Sequence, residues 1–276
     1  MTFQPVIAGS GLAAWTLLNR TLDTQSSVFA ASPEISRDTD YFEATIGSID
    51  TAEDLVSDRR LLRVALGAFG LQDDINNLYF IRRVLEEGSL NEDALANKLT
   101  DSRYKDLAQA FGFGDFDTPR SRISDFGPKI TDKFRRQQFE VAVGEQDDSL
   151  RLAMNAERSL PELAESSSSN RTKWLRIMGN PPLRSVMEGA LGMPESFSQL
   201  DLDRQVDLFM ERATRQLGSD DVARFSDPEM VEKLVQRFLL RNQVEEFRAA
   251  NSASGALSIL ESAARFAKSR SPLQHR

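Results

Sequence analysis

The chain has 276 residues, no cysteine and a single histidine, His275, which is the second-to-last residue. These counts exclude thiolate nucleophiles, thiolate metal sites and disulfides, and they leave a histidine-based site only at the end of the chain. The net charge of −8 argues against binding a polyanion over the whole surface. No apolar run approaches the roughly 18 to 20 residues that cross a bilayer. We therefore expect no cofactor, no metal, no nucleic acid and no membrane insertion.

Residues 1–33 form a low-charge segment whose only charged side chains are Arg20 and Asp23. This composition predicts either a weakly amphipathic helix or a flexible tail. The segment contains the string Gly9 to Ala14, which satisfies the dinucleotide-binding pattern G-x-G-x-x-A. However, Pro5 shortens any strand before it, and no further parallel strands follow. We interpret the string as the small-residue entry to a helix, and we keep a nucleotide site as an alternative.

Helical periodicity continues along the rest of the chain. Thr51 and Asp54 match a capping box, and Gly88 ends the helix that begins near Leu78. Further helices are predicted over 92–99, 102–111, 129–143, 147–160, 202–217, 228–247 and 254–268. Because no series of alternating strands occurs, the predicted fold class is all-α, a multi-helix, bundle-like fold.

An internal echo suggests that this fold contains two copies of one helical unit. Residues 64–71, VALGAFGL, match residues 186–193, VMEGALGM. Farther on, the string 99–101 followed by Phe111 is echoed by the string 225–227 followed by Phe238. The pattern therefore predicts two degenerate copies of a helical unit.

The predicted organisation has five parts. Prolines and a serine run mark a linker. The internal echo divides the chain around this linker into two helical units. The parts are a low-charge N-terminal segment (1–33), an N-terminal helical unit (34–160), a linker (161–182), a C-terminal helical unit (183–250), and a terminal helix with a basic tail (251–276).

Two groups of side chains are candidates for contact with a partner. The first is a short basic face formed by Lys129, Lys133, Arg135 and Arg136. Such a face suits an acidic partner, although a solvated helix face has the same composition. The second is the pair Phe113 and Phe116 in the irregular connection 112–128. These rings form either a docking loop or an anchor that packs the connection onto the core.

Several strings resemble a bacterial family of unknown function. The strings fall in four groups. These are residues 41–42 and 46–47; residues 96–104 and 111; residues 144–146, 151–153 and 157–158; and residues 191–194 and 201–203. The resemblance covers roughly residues 35–245. Members of this family are typically encoded in or near flagellar gene clusters of alphaproteobacteria, and some carry several copies of the domain. The resemblance implies an association with flagella and brings no catalytic residues.

Charged residues within these strings are expected to specify the fold. Arg151, Glu157 and Arg158 lie on one predicted helix and are expected to pair with Glu145 or with the turn at Asp101. The neighbouring residue Gln146 belongs to the same group of candidate contacts.

The leading hypothesis is a non-enzymatic helical interaction protein associated with the bacterial flagellum, in assembly, structure or regulation, with a flagellar protein as its partner. One alternative is a cytoplasmic chaperone that holds an amphipathic helix of a flagellar subunit in a groove between the two units. The less favoured alternative is a nucleotide-binding enzyme that uses the turn at 9–14. The expected location is the cytoplasm, or outside the cell after export without a cleaved signal through the flagellar type III route.

Overall fold

The structure, a computed structural model, describes residues 3–269, except for the side chains of residues 195, 250 and 252–269. It confirms the all-α fold class: the described residues form thirteen α-helices and no strand. The helices are Gly11–Ala30 (α1), Pro33–Thr45 (α2), Ala52–Ser57 (α3), Arg59–Ala68 (α4), Leu78–Glu87 (α5), Leu95–Lys98 (α6), Arg103–Phe111 (α7), Phe126–Gly144 (α8), Asp148–Glu165 (α9), Asn170–Met178 (α10), Pro181–Leu191 (α11), Leu202–Leu217 (α12) and Pro228–Ser269 (α13). Short 3-10 helices cover Ile46–Ser48, Gln72–Asp74, Arg120–Arg122, Glu195–Gln199 and Val222–Ser226.

Polar side chains explain where several helices begin. Thr51 and Asp54 form the predicted capping box of α3, with the Asp54 N–H donating to Thr51 Oγ1 at 3.0 Å. Asp58 caps α4 by accepting from the N–H of Arg60 at 2.8 Å. Four further helices begin after caps of the same kind, namely Asp147, Ser169, Asn180 and Asp201. Each cap satisfies backbone donors that a helix start leaves unpaired, which is worth about 1 kcal/mol.

The predicted helix over 92–99 is wrong in extent, because only α6 is helical there. The Asn97 amide donates to the carbonyls of Ser89, at 2.9 Å, and Asn91, at 2.7 Å. These side-chain bonds hold a tight turn in place of a longer helix.

Residues 161–182 are largely helical, in contrast to the predicted linker. Helix α9 continues through Pro161 to Glu165, and α10 and α11 occupy most of the remainder. The Lys173 ammonium donates to the Ala164 carbonyl at 2.6 Å and closes the turn between α9 and α10. Trp174 is buried in the core. The prolines and serines therefore mark helix starts and one short turn rather than a flexible connection.

The N-terminal segment, for which a helix or a tail was open, forms a helix within the body of the molecule. Trp15, Leu18 and Phe29 of α1 are buried. The Gln25 amide accepts from the Val6 N–H at 2.7 Å and donates to the Val6 carbonyl at 3.2 Å. The residues before α1 are thereby held against the helix.

A single core cluster takes side chains from both predicted units. Helix α9 contacts α8 on one side and α11 and α13 on the other, so it joins the two halves. Representative members of the cluster are Trp15, Phe42, Leu66, Phe111, Phe139, Leu160, Trp174, Met187, Phe209 and Leu234.

Two helix pairs, one in each predicted unit, make the same close contact. A Cβ atom at Gly67 of α4 would lie 2.7 Å from the Phe134 ring of α8. A Cβ at Gly189 of α11 would lie 2.8 Å from the Phe238 ring of α13. Glycine therefore allows each helix to approach an aromatic ring of a later helix in the same unit. In these contacts Phe134, rather than the predicted counterpart Phe111, stands opposite Gly67 as Phe238 stands opposite Gly189.

Helix α13 crosses the predicted boundary at residue 250 without interruption, so no separate terminal helix begins at 251. The basic tail beyond Ser269, including His275, lies outside the described residues. None of the described helices has an apolar stretch long enough to span a membrane.

Candidate binding groove

A groove of about 990 Å³ is bounded by the end of α4 and by helices α6 to α11. Three acidic side chains line it, Asp106, Asp125 and Glu162. Seven basic side chains line it, Arg103, Lys105, Arg120, Lys129, Lys133, Arg158 and Arg176. The groove is thus locally basic on a chain whose net charge is −8.

Some of these cations hold the walls together. The Arg103 guanidinium pairs with Asp101 at 2.7 Å and also donates to the Gly70 carbonyl. The Arg158 guanidinium of α9 pairs with Glu140 of α8 at 2.7 Å. Because these groups bridge different parts of the fold, we assign them a structural role.

Three other cations, which we call the cation triad, line the groove and act on Asp106 through their charge. They are Lys105, Lys133 and Arg176. None forms a salt bridge with another described residue, although Lys133 lies 5.3 Å from the centre of the Phe69 ring. Asp106 is accessible to solvent but lies inside the groove, and desolvation raises the pKa of its carboxyl. The charges of the cation triad oppose that rise. With seven cations against three carboxylates, the lining of the groove carries more positive than negative charge.

Asn155 of α9 also lines the groove and carries an unsatisfied acceptor. The residue is 6% exposed, and its Oδ1 atom has no hydrogen-bond partner among the described residues. A buried polar atom without a partner costs about 1 to 3 kcal/mol. Water or a bound molecule in the groove would supply the missing donor.

The chemistry of the groove suits binding. Its lining combines ammonium, guanidinium and amide groups with apolar side chains such as Phe69, Leu175 and Leu183. Within residues 3–269, no group of three or more His, Cys, Asp or Glu side chains is arranged to hold a metal ion.

A second groove, of about 830 Å³, lies between the turn after α8 and helices α11 and α13. Its lining includes the acidic side chains Asp147, Asp148, Glu188, Glu245 and Glu246. Basic side chains therefore predominate in the first groove, and acidic side chains predominate in the second.

The predicted basic face is divided between the groove and other surroundings. Lys129 and Lys133 line the groove. Arg135 instead pairs with Glu43 of α2 at 3.2 Å and with Asp132 at 3.0 Å, and Arg136 is exposed outside the groove.

The two candidate phenylalanines make contacts within the chain. Phe113 stacks on the buried ring of Phe111, with ring centroids 5.6 Å apart. Phe116 is 44% exposed, and the Arg120 guanidinium lies 5.0 Å from the centre of its ring. Phe113 thus acts as an anchor for the connection, whereas Phe116 remains accessible.

The predicted ionic cluster has different partners from those expected. Arg158 pairs with Glu140 rather than with Glu145 or the Asp101 turn. Arg151 pairs with Asp148 at 2.7 Å. The packing of α9 against α8 brings Arg158 to Glu140, a contact that the sequence pattern does not indicate.

Three further candidates lie apart from the basic groove. Glu145 is exposed, and the Gln146 amide donates to the Pro5 carbonyl at 2.7 Å. Desolvation, followed by the charge of Glu232 on α13, raises the pKa of Glu157. Of the residues predicted as contacts, Lys129, Lys133 and Arg158 line the basic groove.

The turn at 9–14 lacks the surroundings of a dinucleotide site. The residues before it form no strand. The Gln243 side chain of α13 lies 3.0 Å from where a Cβ of Gly11 would be. The start of α1 is therefore covered by α13, in the place where a pyrophosphate would approach.

Sequence reasoning missed Lys105, Arg176 and Asn155. Each lies on a different helix and follows no motif, so no local signal connects them. Only the packing of α7, α9 and α10 brings them to one groove.

Comparison with known proteins gives a family without an assigned activity. The family model described as a protein of unknown function, DUF1217, matches residues 68–231. A crystal structure of a protein from Agrobacterium tumefaciens, solved by a structural genomics consortium, is similar, with 26% sequence identity and a TM-score of 0.72. The likeness covers 88% of this chain and 98% of that chain. No curated protein matches. Because the family model covers more than half of its residues, the chain belongs to the DUF1217 family.

Proposed function

We propose that this protein is a non-enzymatic helical interaction protein that holds a segment of a partner protein in the basic groove. The observation that carries the proposal is the combination of the cation triad with the unsatisfied acceptor of Asn155 in one groove. Cations without an ion-pair partner and a buried acceptor without a donor contribute little to the fold by themselves. A bound partner would satisfy both.

The proposed setting is the bacterial flagellum, in assembly, structure or regulation. Support for it comes from the sequence strings that resemble a family encoded near flagellar genes. The proposal places the protein in the cytoplasm, or outside the cell after export without a cleaved signal through the flagellar type III route.

The proposal can be tested by crosslinking in a flagellated alphaproteobacterium that encodes the protein. A photoreactive residue at Gln109, which lines the groove, is compared with one at Glu92, an exposed position outside it. We expect the groove position alone to yield one major crosslinked flagellar protein, identified by mass spectrometry. The same products from both positions, or groove products without a flagellar component, would contradict the proposal.

The position of the groove favours a chaperone for a flagellar subunit as a second candidate function. The groove lies between elements of the predicted N-terminal unit and the helices α10 and α11 that follow it. A chaperone would crosslink to its client before assembly and not in purified flagella. Fractionation of the same cells separates this candidate from a structural role.

We further infer that the two units arose by duplication of one helical unit. The matching contacts of Gly67 with Phe134 and of Gly189 with Phe238 support this inference.

A further inference from the structure

We propose that the groove binds an acidic segment of the partner protein. The carboxylates of the segment lie among Lys105, Lys133 and Arg176, and one backbone N–H of the segment donates to Asn155 Oδ1. This inference deepens the proposed function and rests on it.

Charge complementarity is the first argument. The cation triad comes from three helices, α7, α8 and α10, which bring Lys105, Lys133 and Arg176 into one groove. A chain with a net charge of −8 repels an acidic partner at long range. Binding of acidic side chains must therefore depend on a local concentration of cations, and the groove provides one.

The hydrogen-bonding capacity of the ligand is the second argument. The Asn155 acceptor requires a donor, which neither a free carboxylate nor a phosphodiester backbone supplies. A peptide backbone offers one N–H at each residue other than proline. A peptide segment with acidic side chains therefore satisfies the cations and the amide oxygen together.

The dimensions and the apolar lining favour a segment over a small anion. The volume of about 990 Å³ stands at the upper end of the roughly 300 to 1,000 Å³ typical of small-molecule sites. Ile123 and Leu175 offer apolar contacts beside the charges. Nucleic acid is less well suited, because Lys133 covers the Phe69 ring at 5.3 Å and Phe126 is buried. Neither ring is free to stack on a base.

The test uses the full chain and a synthetic peptide in which Glu alternates with Leu and Ala, with dissociation constants measured by titration calorimetry. Neutralising the triad in the variant Lys105→Gln/Lys133→Gln/Arg176→Gln should weaken binding at least about tenfold. Raising the salt concentration should weaken binding to the wild type more than binding to this variant.

A matched control removes the same number of charges elsewhere. Arg83, Arg215 and Lys233 are exposed and pair with glutamates on their own helices. Their replacement by Gln should leave the affinity unchanged. Equal weakening by both triple variants would show a net-charge effect and overturn the proposal.

Asn155→Leu tests the hydrogen bond separately from folding. The variant should bind the peptide about threefold to tenfold more weakly. Its urea midpoint should stay the same or rise, because a buried unsatisfied acceptor is removed. Unchanged affinity would overturn the role of Asn155, and a lowered midpoint would show that the amide serves the fold.

Further probes test whether other molecules occupy the groove. A peptide with Gln in place of Glu, inorganic phosphate and a single-stranded oligonucleotide are titrated in parallel, and sedimentation velocity reports self-association. Failure of the acidic peptide to bind, tighter binding of any other probe, or self-association through the groove would overturn the proposal. Crosslinking at Gln109 to a partner without an acidic segment would refute this inference alone and leave the proposed function standing.

Discussion

Arg158 and Glu140 form an ion pair that connects α9 with α8 beside the groove. The Glu140 side chain is only 4% exposed, and that of Arg158 is 28% exposed. Gln137 accepts a further hydrogen bond from Arg158 at 2.9 Å. A carboxylate this deeply buried depends on its partner, because desolvation of an unpaired charge is strongly unfavourable.

Arg158→Met is expected to lower the free energy of unfolding by about 3 to 5 kcal/mol, because it leaves the Glu140 carboxylate buried without a cation. The double variant Arg158→Met/Glu140→Met should recover most of this loss. Urea denaturation measures both values. Arg215→Met breaks an exposed pair with Glu211 and should cost at most about 1 kcal/mol. An equal cost for Arg158→Met and Arg215→Met would contradict the prediction.

At the scale of elements, the packing of α1 makes the N-terminal segment part of the core. Its apolar side chains follow helical spacing, and one face of the helix contacts α8 and α13. Leu18 is 1% exposed, whereas its neighbour Leu17 is 37% exposed. Of these two adjacent leucines, one therefore lies in the core and the other at the surface.

Leu18→Ala should lower the free energy of unfolding by about 2 to 5 kcal/mol, because the substitution leaves a cavity in the core. Leu17→Ala should change it by at most about 0.5 kcal/mol, because that side chain lies at the surface. Chemical denaturation of the two variants gives the comparison. Similar small effects for both would mean that α1 is detached from the core in solution.

At the scale of the whole molecule, the two predicted units share one core. The cluster of buried residues runs from α1 to α13 and includes both tryptophans, Trp15 in α1 and Trp174 in α10. Helix α9 packs on elements of both halves. A domain whose apolar residues form one contiguous cluster is expected to unfold cooperatively.

We therefore expect one unfolding transition, reported equally by both halves. In Trp174→Phe the fluorescence reports Trp15, and in Trp15→Phe it reports Trp174. Within each variant, the urea midpoint from fluorescence should coincide with the midpoint from far-ultraviolet circular dichroism. Separate midpoints for the two methods would show that the halves unfold independently.

The sequence predicted the helices well where the signal is local. The cap at Thr51 and the apolar periodicity of α12 and α13 depend on neighbouring residues only. The interpretation of 161–182 as a linker was wrong because proline and serine occur at helix starts as well as in linkers. The burial of Trp174, which makes this segment part of the core, depends on distant helices.

The candidate site was accessible to sequence reasoning only in part. Lys133 stood in the predicted basic face, but Lys105, Arg176 and Asn155 carried no signal. The absence of cysteine excluded thiol chemistry, and helical periodicity determined the fold class. The tertiary structure alone decided which cations meet in one groove and which carboxylate Arg158 binds, because those contacts join residues on different helices.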